Sequence, residues 1–126
     1  MTKVLILSGG KGTRFSEKTI KKPKPLIEIG RSPLIWHIMK QYSNFNLTDF
    51  IVLAGYKYKE FHKEFKKSKY KNWSIKVLNT GLNTETGSRV LKAKKYLEKD
   101  TDSHYFYLTY GDGISNINIK NSLKLF

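Results

Sequence analysis

The sequence predicts an α/β fold, a Rossmann-like, mostly parallel open sheet with helices on both faces. Three observations carry that expectation. Short runs of β-forming residues alternate with stretches of helical period along the chain. Two of the runs, Val4-Leu5-Ile6-Leu7 and Phe50-Ile51-Val52-Leu53-Ala54, are apolar throughout and read as buried strands. Glycine-rich or polar segments follow several of the strands, where open sheets of this kind place their ligands.

Taken in order, the first strand runs from about Lys3 to Leu7 and opens into the glycines Gly9, Gly10 and Gly12. Leu26 to Ile29 is a brief extended piece held by Pro23 and Pro25. Ser32-Pro33 pairs a good N-cap with a good first-turn residue. It opens a helix to about Asn44, with Leu34, Ile35, Ile38, Met39 and Tyr42 on its buried side. Phe50 to Ala54 is the second main strand, closed by Gly55. Tyr58 to about Lys69 reads as an amphipathic helix carrying Phe61 and Phe65. Trp73 to Leu78 alternates as a strand, Asn79 to Ser88 is a polar loop, and Val90 to Leu97 is a helix. Tyr105 to Tyr110 is a further buried strand, with Tyr105, Phe106, Tyr107 and Tyr110 in the core, and it ends in Gly111-Asp112-Gly113. Three segments therefore leave strand ends: Gly9 to Arg14, Asn79 to Arg89, and Gly111 to Gly113. The fold would gather them on one edge.

The stretch from Leu7 to Lys24 has the chemistry of a polyphosphate site. Three glycines leave backbone N–H groups uncovered, while Thr13, Arg14 and Lys24 add a hydroxyl and two cations. It is not a G-x-x-x-x-G-K-[ST] loop. It also fails G-x-G-x-x-G, because Phe15 stands where the third glycine belongs. Asp112, between two glycines after a strand, reads equally as a ligand for a hard cation or as a turn aspartate. His37, beside Trp36 in a core helix, reads as structural; His62 and His104 show neither zinc-ligand spacing nor a nucleophile to pair with.

Composition bounds the remaining options. At 126 residues the chain is one domain at most, and with no cysteine it has neither disulfides nor thiolate chemistry. The first apolar run is too short for a signal-peptide core and no later run approaches a membrane span, so a cytoplasmic protein without a membrane partner is the expectation. The net charge of +14 raises nucleic-acid binding as a rival. Of the 24 cations, however, only Arg14, Arg31 and Arg89 are arginine, the residue that base and phosphate readers favour. The lysine run from Lys57 to Lys71 is spaced as a solvated helix face. No nucleic-acid partner is expected.

The strings G-G-K-G-T-R, K-K-P-K-P-L-I-E-I-G and P-L-I-W-H-I-M-K, with T-E-T-G-S-R at Thr84 to Arg89 and Y-G-D-G-I-S at Tyr110 to Ser115, carry a resemblance. The chain resembles the N-terminal half of the sugar-1-phosphate nucleotidylyltransferases, and within them the glucose-1-phosphate cytidylyltransferases. Such enzymes transfer a nucleotidyl group to a sugar 1-phosphate and release pyrophosphate. The resemblance implies CTP and glucose 1-phosphate as partners, Mg²⁺ as cofactor, and a setting in nucleotide-sugar and polysaccharide biosynthesis. UTP or dTTP remains the alternative donor.

By the same resemblance, Leu7, Ser8, Gly9, Gly10, Lys11, Gly12 and Thr13 cradle the triphosphate. Arg14 grips the departing phosphates, and Lys24 sits at the α-phosphate. Thr84 and Arg89 read base and ribose, Gly111 lies against the nucleotide, and Asp112 binds Mg²⁺. Arg14, Lys24 and Asp112 are thus the implied catalytic set. Ser88 stands where the family pattern carries a second glycine, which bears on base preference.

Residues 1–126 then form the nucleotide-binding part of a longer transferase domain whose C-terminal, sugar-binding half is missing. The closing stretch Ile117 to Phe126 reads as the opening of another helix, in keeping with truncation. With a second metal-binding aspartate absent, little turnover is expected of this chain by itself. Its oligomeric state is open, a homo-oligomer included.

Overall fold

The structure, a computed structural model, describes residues 2–9, 22–82, 85–98 and 106–111. Four strands, β1 (Lys3–Ser8), β4 (Asp49–Ala54), β5 (Ser74–Asn79) and β6 (Tyr107–Tyr110), form one sheet in the order β5-β4-β1-β6. Every pairing in it is parallel, with Val4 opposite Phe50 and Tyr107, and Phe50 opposite Ile75. The order explains the sequences. β1 and β4 are central and covered on both faces, so neither alternates. β5 lies at an edge and exposes Ser74, Lys76 and Asn79, which discourages further pairing.

Alternate residues divide the core into two layers. Val4, Ile6, Phe50, Val52 and Ala54 face α1 (Leu34–Ser43) and α2 (Tyr58–Phe65), meeting Ile35, Met39 and Phe61. Leu5, Leu7, Ile51 and Leu53 face α3 (Thr86–Lys92) and α4 (Lys94–Glu98), meeting Ala93 with Val90, Tyr96 and Leu97. Helices on both faces of a parallel sheet are what the sequence led us to expect. No helix among the described residues is long and apolar enough to cross a membrane.

Local details differ from the sequence reading. Lys24–Leu26 is a 3₁₀ turn with Pro25 inside it, not extended chain. The extended piece shrinks to β2 (Glu28–Ile29), which pairs antiparallel with β3 (Ser32–Pro33) across Gly30 at φ +71°. Ser32 is therefore used in that ladder, and Pro33 is the N-cap of α1, with no side-chain capping bond. His37 Nε2 meets the Ile29 carbonyl at 2.8 Å and ties the small hairpin to α1, a structural use. Asn46, left-handed at φ 63°, closes α1, with its N–H to Ser43 O at 3.0 Å and Leu47 N–H to Tyr42 O at 3.2 Å.

α2 stops at Phe65, because the chain turns extended at Lys67 before a second 3₁₀ turn, Ser68–Tyr70. That turn brings the Tyr70 hydroxyl to Glu64 Oε2 at 2.7 Å, a bond the continuous helix would not make. The loop expected to Ser88 ends earlier, since α3 begins at Thr86, and the helix breaks at Ala93. Tyr107 is in the core as expected, but Tyr110 is 61% exposed: with Leu108, 47% exposed, it lies on the α3–α4 face of β6, the outermost strand of the described sheet. Tyr105 and the end of the chain lie outside the described residues.

Candidate functional site

Strand order locates the site. From β1 the chain moves outward to β4 and then β5, its helices on one face. It then crosses the other face through α3 and α4 to reach β6, on the far side of β1. The direction of winding reverses between β1 and β6, and the carboxyl ends of such a strand pair frame a crevice. Gly9 follows β1 and Gly111 follows β6, and the Gly111 N–H donates to Leu7 O at 2.8 Å.

Gly111 packs where no side chain would fit. A Cβ there would collide with Ser8 Oγ and lie 3.1 Å from Pro25 Cγ and 3.2 Å from Ile6 Cγ2. Pro25 thus places the 3₁₀ turn that holds Lys24 against the end of β6. Ser8, 3% exposed, has a buried hydroxyl without a hydrogen-bond partner among the described residues.

On the other side of β1, Arg89 gathers the remaining turns. The residue is 6% exposed and projects from α3 across the strand ends. Its Nη1 donates to Thr80 Oγ1 at 2.6 Å and Gly81 O at 2.8 Å. Its Nη2 reaches Gly9 O at 3.3 Å and Leu82 O at 3.4 Å. Thr80 is wholly buried, and its hydroxyl passes a bond on to Ala54 O at 2.8 Å. Lys92 Nζ donates to Thr80 O at 2.8 Å, and the Tyr56 N–H reaches Gly9 O at 3.3 Å. The turns after β1, β4 and β5 are thereby joined. Burial lowers the Arg89 pKa from its ordinary value. No carboxylate bonds to the guanidinium among the described residues; its partners there are three carbonyls and the Thr80 hydroxyl.

Of the residues singled out from sequence, Ser8, Gly9, Arg89 and Gly111 lie at this edge, and Lys24 belongs to the 3₁₀ turn whose Pro25 packs on Gly111. Leu7 is different. Its side chain faces α3 and α4 in the core, and only its backbone reaches the site, through the bond from Gly111. Gly10, Lys11, Gly12, Thr13, Arg14, Thr84 and Asp112 lie outside the described residues. The sequence reading missed Thr80 and undervalued Gly55. A Cβ at Gly55 would collide with the Gly81 carbonyl oxygen and lie 2.7 Å from Arg89 Nη1. Each residue directly follows a strand end, or nearly so, which was the available signal.

Residues 3–126 match the model of the nucleotidyl transferase family. The chain belongs to that family. The chain is 41% identical over 137 residues to a Bacillus subtilis (strain 168) protein named "Probable glucose-1-phosphate cytidylyltransferase". It is 38% identical over 142 residues to the glucose-1-phosphate cytidylyltransferase of Salmonella typhimurium. These matches cover 93% and 96% of this chain but 52% and 54% of the relatives. The chain thus spans about half the length of the curated relatives it matches. Among solved structures, HddC from Yersinia pseudotuberculosis, complexed with GMP-PN, superposes with a TM-score of 0.81 at 24% identity. The superposition covers 99% of this chain and 54% of that one, a likeness of fold.

Proposed function

We propose that this chain carries the nucleoside-triphosphate half of a sugar-1-phosphate nucleotidylyltransferase, with CTP as donor and glucose 1-phosphate as acceptor. One observation carries the reading. At the switch point between β1 and β6, the turn bearing Gly9 and the turn bearing Gly111 lie side by side, with the Lys24 turn packed on the latter. The cytidylyltransferase relatives, at 41% and 38% identity, support the choice of base and sugar.

In this reading the sugar phosphate attacks the α-phosphorus of CTP and pyrophosphate leaves. The protein aligns the two and offsets charge in the transition state. Backbone amides from Gly9 to Thr13 cradle the triphosphate. Arg14 holds the leaving phosphates in a bidentate grip, and Lys24 stands at the α-phosphate. Thr84 lies toward base and ribose.

Mg²⁺ fits the donor chemistry of this edge. The donor is Asp112, a hard carboxylate directly after Gly111; the described residues themselves hold no cluster of three or more His, Cys, Asp or Glu that could bind a metal ion. Asp112 would hold the ion, which when bound neutralises charge on the phosphates. A cytoplasmic location goes with this reading, as its substrates are soluble phosphates.

Thermal-shift titration of CTP, UTP and dTTP with Mg²⁺ tests it. A ligand at 100 times its Kd stabilises by about 2.7 kcal/mol, and CTP should raise the midpoint most. No shift with any triphosphate at millimolar concentration would sink the proposal. A larger shift with UTP or dTTP would reassign the donor alone.

A further inference from the structure

We propose that Arg89 is a positioning residue for the phosphate-binding turn. It holds the Gly9 carbonyl to the Thr80–Leu82 turn, and so fixes the point at which the chain leaves β1. For its ligand the proposal rests on the triphosphate reading above; for the rest it rests on geometry.

Donor inventory comes first. A guanidinium carries five N–H groups, two on each terminal nitrogen and one on Nε. Nη1 serves Thr80 Oγ1 and Gly81 O, and Nη2 serves Gly9 O and Leu82 O. All four terminal donors are committed to the protein. A bidentate contact with a nucleobase would have to release the turns that the side chain now joins.

Packing makes the same point. A Cβ at Gly9 would collide with the guanidinium, and one at Gly55 would lie 2.7 Å from Nη1 and 3.1 Å from Gly9 O. Two strand-following glycines thus leave the volume that the Arg89 head group fills. Thr80, fully buried, fixes that head group from below by bonding both Arg89 and Ala54 O.

The consequence for the ligand follows from where Gly9 stands. Its carbonyl is held inward by Arg89 Nη2 and by the Tyr56 N–H. The backbone therefore enters the glycine segment that follows from one fixed point, and backbone amides serve an anionic oxygen only from a fixed start.

The test uses the 126-residue chain with R89M and T80V; the Thr80 side chain is too deeply buried to touch a ligand. Two readouts are taken: amide exchange at Tyr56, and calorimetric affinity for Mg²⁺-CTP and for inorganic tripolyphosphate. R89M should speed Tyr56 exchange relative to core strand amides. It should weaken CTP and tripolyphosphate by the same factor, roughly tenfold for a lost charge-assisted hydrogen bond. T80V should shift both affinities in the same direction by less.

Loss of CTP binding with tripolyphosphate unchanged would make Arg89 a direct reader of the base and overturn the proposal. Unchanged Tyr56 exchange would overturn it as well. If the wild-type chain bound neither ligand, the triphosphate reading would fall, and Tyr56 exchange alone would decide whether Arg89 holds Gly9.

Discussion

The ring of Pro25 lies against the α-carbon of Gly111, 86 residues away in sequence, where a Cβ would sit 3.1 Å from Pro25 Cγ. Through that contact the segment bearing Lys24 meets the turn that leads into Asp112, at the carboxyl ends of β1 and β6. Five substitutions probe this edge and the core that supports it.

Gly111→Ala should destabilise the chain by about 1–3 kcal/mol, the usual cost of forcing a carbon into a filled space. The added methyl meets Ser8 Oγ, Pro25 Cγ and Ile6 Cγ2. Removing the Ser8 hydroxyl in the Ser8→Ala, Gly111→Ala double variant should recover part of the loss. A double-mutant cycle in urea measures the coupling, and additive effects would contradict the packing described.

Gly55→Ala should cost at least as much, because its closest obstacle is the Gly81 backbone, which cannot rotate aside. The turns after β1, β4 and β5 would have to separate. Chemical denaturation should show a lowered midpoint, and calorimetry a weakened hold on tripolyphosphate. A midpoint equal to wild type would show that this approach is not tight.

Tyr70 ties alkaline stability to the Glu64 cluster. Burial, then the bond to the Glu64 carboxylate, raises the Tyr70 pKa above its ordinary value. A folded-state pKa above the unfolded one, about 10, leaves stability intact below that pH and erodes it above. Tyr42, raised by burial, and Lys67, raised by its bond to Glu64, act in the same direction. Tyr70→Phe should cost about 1–3 kcal/mol at neutral pH by leaving the buried Glu64 with Lys67 alone. It should also flatten the decline of urea stability above about pH 10. An unchanged alkaline slope would show that Tyr70 ionises as freely folded as unfolded.

Asp112→Asn should remove the Mg²⁺-dependent part of the CTP-induced thermal shift and leave the fold intact, since carboxamides are poor ligands for that ion. Lys24→Gln should weaken CTP by roughly tenfold, a typical loss for a charge-assisted contact to phosphate. If Asp112→Asn bound CTP with unaltered Mg²⁺ dependence, the metal would have to sit elsewhere.

Much of this protein was decided locally and could be read from the chain. The uninterrupted runs at Val4–Leu7 and Phe50–Ala54 announced buried parallel strands, because residues covered on both faces have no reason to alternate. Glycines at strand ends announced a shared edge, and Gly9 and Gly111 do follow the neighbouring strands β1 and β6, joined by the Gly111 N–H to Leu7 O bond.

What tertiary structure alone decided is which partners these groups take. Arg89 looked from its motif like a group facing a nucleotide, yet its terminal nitrogens are bonded to the protein, one of them to Gly9, 80 residues away. Tyr110 looked like core, yet it is exposed, because no local pattern reveals that β6 is the outermost strand among the described residues. Periodicity records which side of an element is covered. Hydrogen-bond partners and strand order depend on residues far along the chain, which only folding brings into reach.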